Sequence, residues 1–173
     1  IGQDWTVPYR HDRIDQLLAA KPKHDLASMQ AVQADVMSPA TVRLLPFLQK
    51  ALQQAADSPL TDQVRRATQG FDGSMRADQA APLVFATWAD ELTRGVLGGK
   101  LGKDLFGTLY GKRHFRSSIE TIMETNDAAW CGSAGCPAQS AAALERAMNR
   151  LQAEYGSDVG QWKRVHGDLI LDG

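Results

Sequence analysis

The chain has 173 residues, enough for one domain with a buried core, and its 43% hydrophobic and 23% charged content excludes a disordered tail, a collagen-like fibre or a disulfide-dense miniprotein. Nineteen Lys and Arg stand against 20 Asp and Glu, and a net charge of -1 supplies no basic field to hold nucleic acid or an anionic membrane. No apolar run approaches the ~20 residues that span a bilayer, so a soluble chain without a membrane span is expected.

The chain opens Ile1-Gly2-Gln3-Asp4-Trp5 without Met or an apolar leader. It closes on Leu169-Ile170-Leu171, a strand-like run with nothing after it to pair with. Both ends are expected to be cut edges of a longer protein.

Between them the pattern is helical. Tyr9 to Ala20 carries Ile14, Leu17 and Leu18 at i, i+3 and i+4, and Lys21-Pro22 stops it. Asp25 is the expected N-cap of a second helix, with Ser28 three positions on and Leu26, Met29, Val32 and Val36 along one face. Ala40 to Ala56 repeats the pattern through Val42, Leu45, Leu48 and Leu52, with Pro46 as an expected kink. Thr61 to Gln69 reads as a short helix ending near Gly70. Asp78 or Gln79 is expected to cap a longer helix with Pro82 in its first turn and Val84, Phe85, Trp88, Leu92 and Val96 inside, halted by Gly98-Gly99. Phe106 to Tyr110 and Phe115 to Met123 are shorter helical pieces. Ala138 to Tyr155, with Leu144, Ala147, Met148 and Leu151 on one side and Gly156 beyond its end, is the cleanest amphipathic helix. Period-two alternation is confined to Trp5 to Tyr9 and the last few residues. The expectation is a mainly α chain, residues 1–173 forming one helical unit.

Common catalytic signatures are missing. His11, His24, His114 and His166 are scattered, no two at the i, i+4 spacing of metal ligands on one helix face, and no metal site is expected. Gly98-Gly99-Lys100-Leu101-Gly102 has neither a preceding strand nor the Ser or Thr after Lys that a phosphate loop needs, so it reads as a helix end and a turn. Lys112-Arg113-His114-Phe115-Arg116 reads as a solvated basic run at the start of a helix. No Gly-x-Ser-x-Gly elbow occurs.

Cys131 and Cys136 have four residues between them, two of them Gly, which suits a local disulfide closing a tight loop; two free thiols are the alternative. So small a ring adds about 2 kcal/mol on chain entropy, which predicts a clamp on a surface loop rather than a support of the fold. The disulfide reading places the protein in an oxidising compartment. A zinc site would need two more ligands, and none is visible at workable spacing.

The order of motifs resembles the β-subunit of the penicillin acylase family. The resemblance runs through Trp5-x-x-Pro8-Tyr9-Arg10-x-x-Arg13-Ile14-x-x-Leu17-Leu18, Met29-Gln30-x-x-Gln33-x-Asp35-x-x-Ser38 and Leu44-Leu45-Pro46-x-Leu48. It continues through Phe71-Asp72-Gly73-x-Met75, where family members usually start with Trp, and Ala80-Ala81-x-Leu83-x-Phe85-x-x-Trp88. Trp130-Cys131, the second Cys and Tyr155-Gly156-x-Asp158-x-x-x-Trp162 look most like the acyl-homoserine-lactone acylase branch.

The resemblance implies a helical fragment of a larger αββα N-terminal nucleophile hydrolase, a zymogen that cuts itself to free a Ser. The α-amino group of that Ser acts through water as its base, the Ser attacks an amide carbonyl, and water releases the acid from the acyl-enzyme. Backbone and Asn donors form the oxyanion hole. By position the nucleophile Ser and the oxyanion Asn both precede Ile1, so the fragment is expected to be inactive. Arg10 aligns with a family Arg that helps fix the Ser and Asn, a role that suits a guanidinium's rigid fork of donors. Arg13, Trp5 and Trp162 are assigned to packing or local pairing. His166 stands where the family has a His after Trp-x-Trp-Gly, but here that stretch reads Trp162-Lys163-Arg164-Val165.

The implied partners are the remainder of the β-subunit, an α-subunit and a small N-acyl amide such as a penicillin or an acyl-homoserine lactone, as in antibiotic metabolism or quorum quenching. The implied location is periplasmic or secreted. Some relatives bind Ca²⁺, but no cluster of carboxylates here would hold one. The competing expectation is a free-standing helical interaction module without catalysis. The acylase reading predicts an exposed apolar face left by missing parts of the protein, and the module reading a sealed surface.

Overall fold

The computed structural model describes residues 8–110 and 113–163, with the side chains of 113–116 outside that set. Trp5, His166 and Leu169 to Leu171 therefore lie outside the described residues, as does the expected period-two stretch apart from Pro8 and Tyr9, and Tyr9 opens a helix.

The helices are α1 (Tyr9–Ala19), α2 (Leu26–Gln33), α3 (Pro39–Gln54), α4 (Pro59–Thr68), α5 (Ala81–Thr93), α6 (Gly99–Leu101), α7 (Lys103–Tyr110), α8 (Arg113–Thr125), α9 (Ala128–Cys131) and α10 (Gly135–Tyr155). A further helical turn covers 159–163, and the described residues contain no strand beyond one isolated antiparallel bridge, Met37 to Ser74. The chain is mainly α, as its periodicity predicts.

Caps written in the sequence set several helix starts. Asp25 and Ser28 form a reciprocal capping box on α2, Ser28 N donating to Asp25 Oδ1 at 2.8 Å and Asp25 N to Ser28 Oγ at 2.9 Å. Ser38 caps α3 and Ser58 caps α4, each followed by Pro in the first turn. Ser58 thus starts α4 at Pro59, two residues before the expected Thr61. The end of α3 is closed from α4, where Arg65 donates to the carbonyls of Leu52 and Ala55 at 3.0 and 2.7 Å. Helix α3 runs unbroken through Pro46.

Two expected boundaries are corrected. Neither Asp78 nor Gln79 caps α5; Ala80 holds that position without a side-chain bond. Gly98-Gly99 does not stop the helix either. The chain turns on through a π-helical segment, Arg94–Gly98, into α6, and ends at Gly102, whose φ of +74° leaves the helical region. Val96 and Leu97 are fully buried here, so tertiary packing outweighs the helix-breaking tendency of two glycines.

The core is built where α5, α10 and α3 meet. Trp88, Val84 and Leu92 from α5 are buried with Leu144, Ala147 and Leu151 from α10 and Leu48 from α3. Ser140 ties the three helices together: its carbonyl accepts Trp88 Nε1 at 3.1 Å, and its hydroxyl donates to the Phe47 carbonyl at 3.0 Å. Trp162 is buried and donates Nε1 to the Gly156 carbonyl at 3.1 Å, the local pairing expected of it.

Cys131 and Cys136 form a disulfide, with Cα atoms 4.9 Å apart. Both sulfurs lie in the core, which corrects the expected clamp on a surface loop. The bond joins the end of α9 to the first turn of α10, and the Asn126 side chain accepts the Cys136 amide at 3.0 Å.

Candidate functional site: the α1 face around Arg10

Helix α1 lies over α2 and α3 and contains no buried residue. Its sequence explains this, because only Ile14, Leu17 and Leu18 supply an apolar stripe and all keep part of their surface. Arg10, Ile14 and Leu17 follow one another at i, i+4 and i+7 along one wall of a groove of about 490 Å³. The opposite wall carries Val32, Val36 and Met37. Arg10 is exposed and makes no hydrogen bond or ion pair with a described residue. Among the described residues it has no partner, and it stands at the mouth of an apolar groove.

Its neighbours on the helix are engaged. Arg13 grips Asp35 with two parallel bonds, Nε to Oδ2 at 2.9 Å and Nη2 to Oδ1 at 2.7 Å. The guanidinium holds the Asp35 carboxyl below the usual carboxylate range. Tyr9, one turn earlier, donates its hydroxyl to Glu120 of α8 and accepts from Arg43 of α3. Arg43 also donates to Glu120 at 2.7 Å and to both oxygens of Glu124 at 2.8 and 2.6 Å. Glu120 is only 4% exposed, and burial raises its pKa despite these donors. Burial raises the Tyr9 hydroxyl as well, while Arg43 draws Glu124 down.

Asp35 has a firm base. The segment after it pairs with the 73–75 turn, Ser38 N donating to the Gly73 carbonyl at 3.0 Å and Met75 N to the Val36 carbonyl at 2.9 Å. Gly73 has φ +97°, and a Cβ there would lie 2.9 Å from Val42 Cγ2, so the turn requires glycine. Asp72 caps the turn by accepting the Ser74 amide at 2.8 Å. Three of the sequence motifs thus meet in space: Tyr9 to Arg13, Asp35 to Ser38, and Phe71 to Met75.

The structure brings Arg10 together with Arg13 and Asp35, but not with Cys131 and Cys136, which lie in the core. Arg43, Glu120 and Glu124 were not singled out from sequence. Their one signal is a carboxylate, Glu120, inside the apolar run Ile119, Ile122 and Met123. His24 stands with Nε2 2.9 Å from the Leu18 carbonyl and Nδ1 3.2 Å from Ser28 Oγ, holding the α1–α2 connection. Among the described residues no three His, Cys, Asp or Glu gather as a metal group, and no helix is long and apolar enough to cross a membrane. A second charged cluster, Asp90 and Glu91 with Arg94, Arg146 and Arg150, links α5 to α10 by mutual ion pairs.

The penicillin amidase family model matches residues 1–170. Among solved structures, a thermostable penicillin G acylase from Alcaligenes faecalis superposes with a TM-score of 0.67 at 17% sequence identity, over 92% of this chain and 34% of that one. At that identity the likeness speaks for the fold, and the chain spans about a third of that enzyme's length. No curated protein matches. A helical chain matched from end to end in this way belongs to the penicillin amidase family.

Proposed function

We propose that these residues are the helical part of an amide hydrolase that works through an N-terminal Ser acyl-enzyme, with the Ser and the oxyanion Asn elsewhere in the protein. The family match over residues 1–170 carries this reading. The surface agrees with it. Of the large apolar side chains left exposed among the described residues, Ile14, Leu18, Leu26, Met29, Val36 and Val42 lie on α1, α2, the connection after α2 and the start of α3, and Leu105 lies apart on α7. Monomers seldom leave such a concentration uncovered, so it favours a piece of a larger assembly over a sealed module.

In this reading the remainder of the β-subunit and an α-subunit cover that face, and Arg10 reaches the Ser and Asn to hold them in place. The substrate is an N-acyl amide of the penicillin or acyl-homoserine-lactone type, and the acyl-homoserine-lactone branch is the closer relation by motif. The Cys131–Cys136 disulfide suits a periplasmic or secreted enzyme matured from a zymogen. Any Ca²⁺ would be held by other parts of the protein.

The test compares the 173-residue chain with the complete protein on a panel of N-acyl nitroanilides. The complete protein should release nitroaniline and the isolated chain none. Turnover by the chain alone overturns the reading.

A further inference from the structure

Helix α1 carries Arg10 but has no buried side chain to hold it in place. What fixes it is polar, and sits on both sides of Arg10 in sequence. Tyr9 reaches Glu120 and Arg43 on α8 and α3, and Arg13 reaches Asp35 in the turn between α2 and α3. Residues 9 and 13 are one helical turn apart on one face. Two anchors so spaced, on two separate supports, set both the rotation of α1 about its axis and its slip along it.

The supports are themselves rigid. Arg43 spends Nε, Nη1 and Nη2 on Tyr9, Glu120 and Glu124, and the residues after Asp35 are pinned to the Gly73 turn. Half-buried ion pairs give little net stability compared with apolar packing, whereas their fixed geometry favours one register over its neighbours. A bidentate Arg13–Asp35 pair is therefore better suited to placing α1 than to stabilising the fold. The one cation of this stretch left without a described partner is Arg10, between the two anchors.

We propose that Tyr9 and Arg13 are positioning residues for the hydrolase, acting through Glu120, Arg43 and Asp35 to hold the Arg10 guanidinium against the catalytic Ser and Asn. The proposal rests on the role given to Arg10 above. Loosening α1 displaces that guanidinium, and misplacement by about 1 Å of a group that orients a nucleophile costs up to about 100-fold in rate.

The experiment uses the complete, self-processed enzyme with active sites titrated, so that only matured molecules count, and an N-acyl nitroanilide as substrate. Arg10→Ala, Arg13→Ala, Tyr9→Phe and Asp35→Asn are compared with the exchanged pair Arg13→Asp/Asp35→Arg. The expected result is a loss of about tenfold or more in kcat for Arg13→Ala and Tyr9→Phe, with KM within about twofold, and recovery of most of the loss in the exchanged pair. If Arg13→Ala does not mature, Asp35→Asn and Tyr9→Phe make the same comparison. Full kcat in these variants while Arg10→Ala is impaired overturns the positioning role and leaves the Arg10 reading intact. Full kcat in Arg10→Ala overturns the Arg10 reading and the positioning role with it. A rise in KM alone, or no recovery in the exchanged pair, also overturns the positioning role.

Discussion

Arg13 and Asp35 are 22 residues apart in the chain and meet through two parallel bonds at 2.7 and 2.9 Å, closing the turn that follows α2 onto α1. Both side chains are half-buried, so the pair is screened less than a surface pair. Replacing either partner by Ala should cost about 1 to 3 kcal/mol, the range for hydrogen bonds between charged groups. The double variant should cost less than the sum of the two single ones, a coupling that urea unfolding followed by the fluorescence of buried Trp88 and Trp162 can measure.

The two carboxylates that hold α1 should respond to pH with opposite signs. Asp35 is held low by Arg13, so its contribution is present above the ordinary carboxylate range and is lost as pH falls through its depressed value. Glu120 is pushed up by burial, so its contribution is present at low pH and is lost as pH rises through the raised value. In thermal midpoints taken from about pH 3 to 8, Asp35→Asn should flatten the acid side and Glu120→Gln the decline on the rising side.

Gly73→Ala should destabilise by about 1 to 3 kcal/mol, since an L side chain at φ +97° is strained and its Cβ would press on Val42. Adding Val42→Ala should recover part of the loss by removing the contact, but not the part that comes from φ. Chemical denaturation of the single and double variants separates the two.

Trp88→Phe removes the donor to the buried Ser140 carbonyl and leaves a gap beneath Phe85. A loss of about 2 to 4 kcal/mol is expected from the cavity and the lost hydrogen bond together, the Ser140 carbonyl keeping its helical partner inside α10. Ser140→Ala, which keeps the backbone carbonyl and loses only the bond to Phe47, should cost about 1 kcal/mol.

Cys131→Ala/Cys136→Ala should lower stability by about 2 kcal/mol on loop entropy, with a further loss because both sulfurs pack in the core. In the native protein the bond should resist a mild reductant until unfolding exposes it, which thiol labelling at increasing urea concentration would show.

The helices were readable because their signals are local. Asp25 and Ser28 cap α2, Ser38 precedes Pro39, and Leu144, Ala147 and Leu151 repeat at helical spacing, each needing only near neighbours in the chain. Local signals misled where packing outweighed them. Gly98-Gly99 reads as a stop but is carried through a π-turn by buried Val96 and Leu97. Val42 fits the apolar period of α3 yet is exposed, while Leu44 lies in the core.

The site divides the same way. The motif order pointed to Arg10 and included Tyr9, Arg13 and Asp35, because residue identity and spacing are properties of the chain. Arg43, Glu120 and Glu124 come from segments 77 to 81 residues apart, and no periodicity links them. Only the fold could place the raised Glu120 carboxyl under the Tyr9 hydroxyl, because desolvation and a through-space hydrogen bond exist only once α3 and α8 are packed together. The sequence by itself determined a helical chain of the penicillin amidase family with an arginine at residue 10. The tertiary structure decided what anchors that arginine, since an exposed helix with no buried side chain is placed by distant partners and not by its own residues.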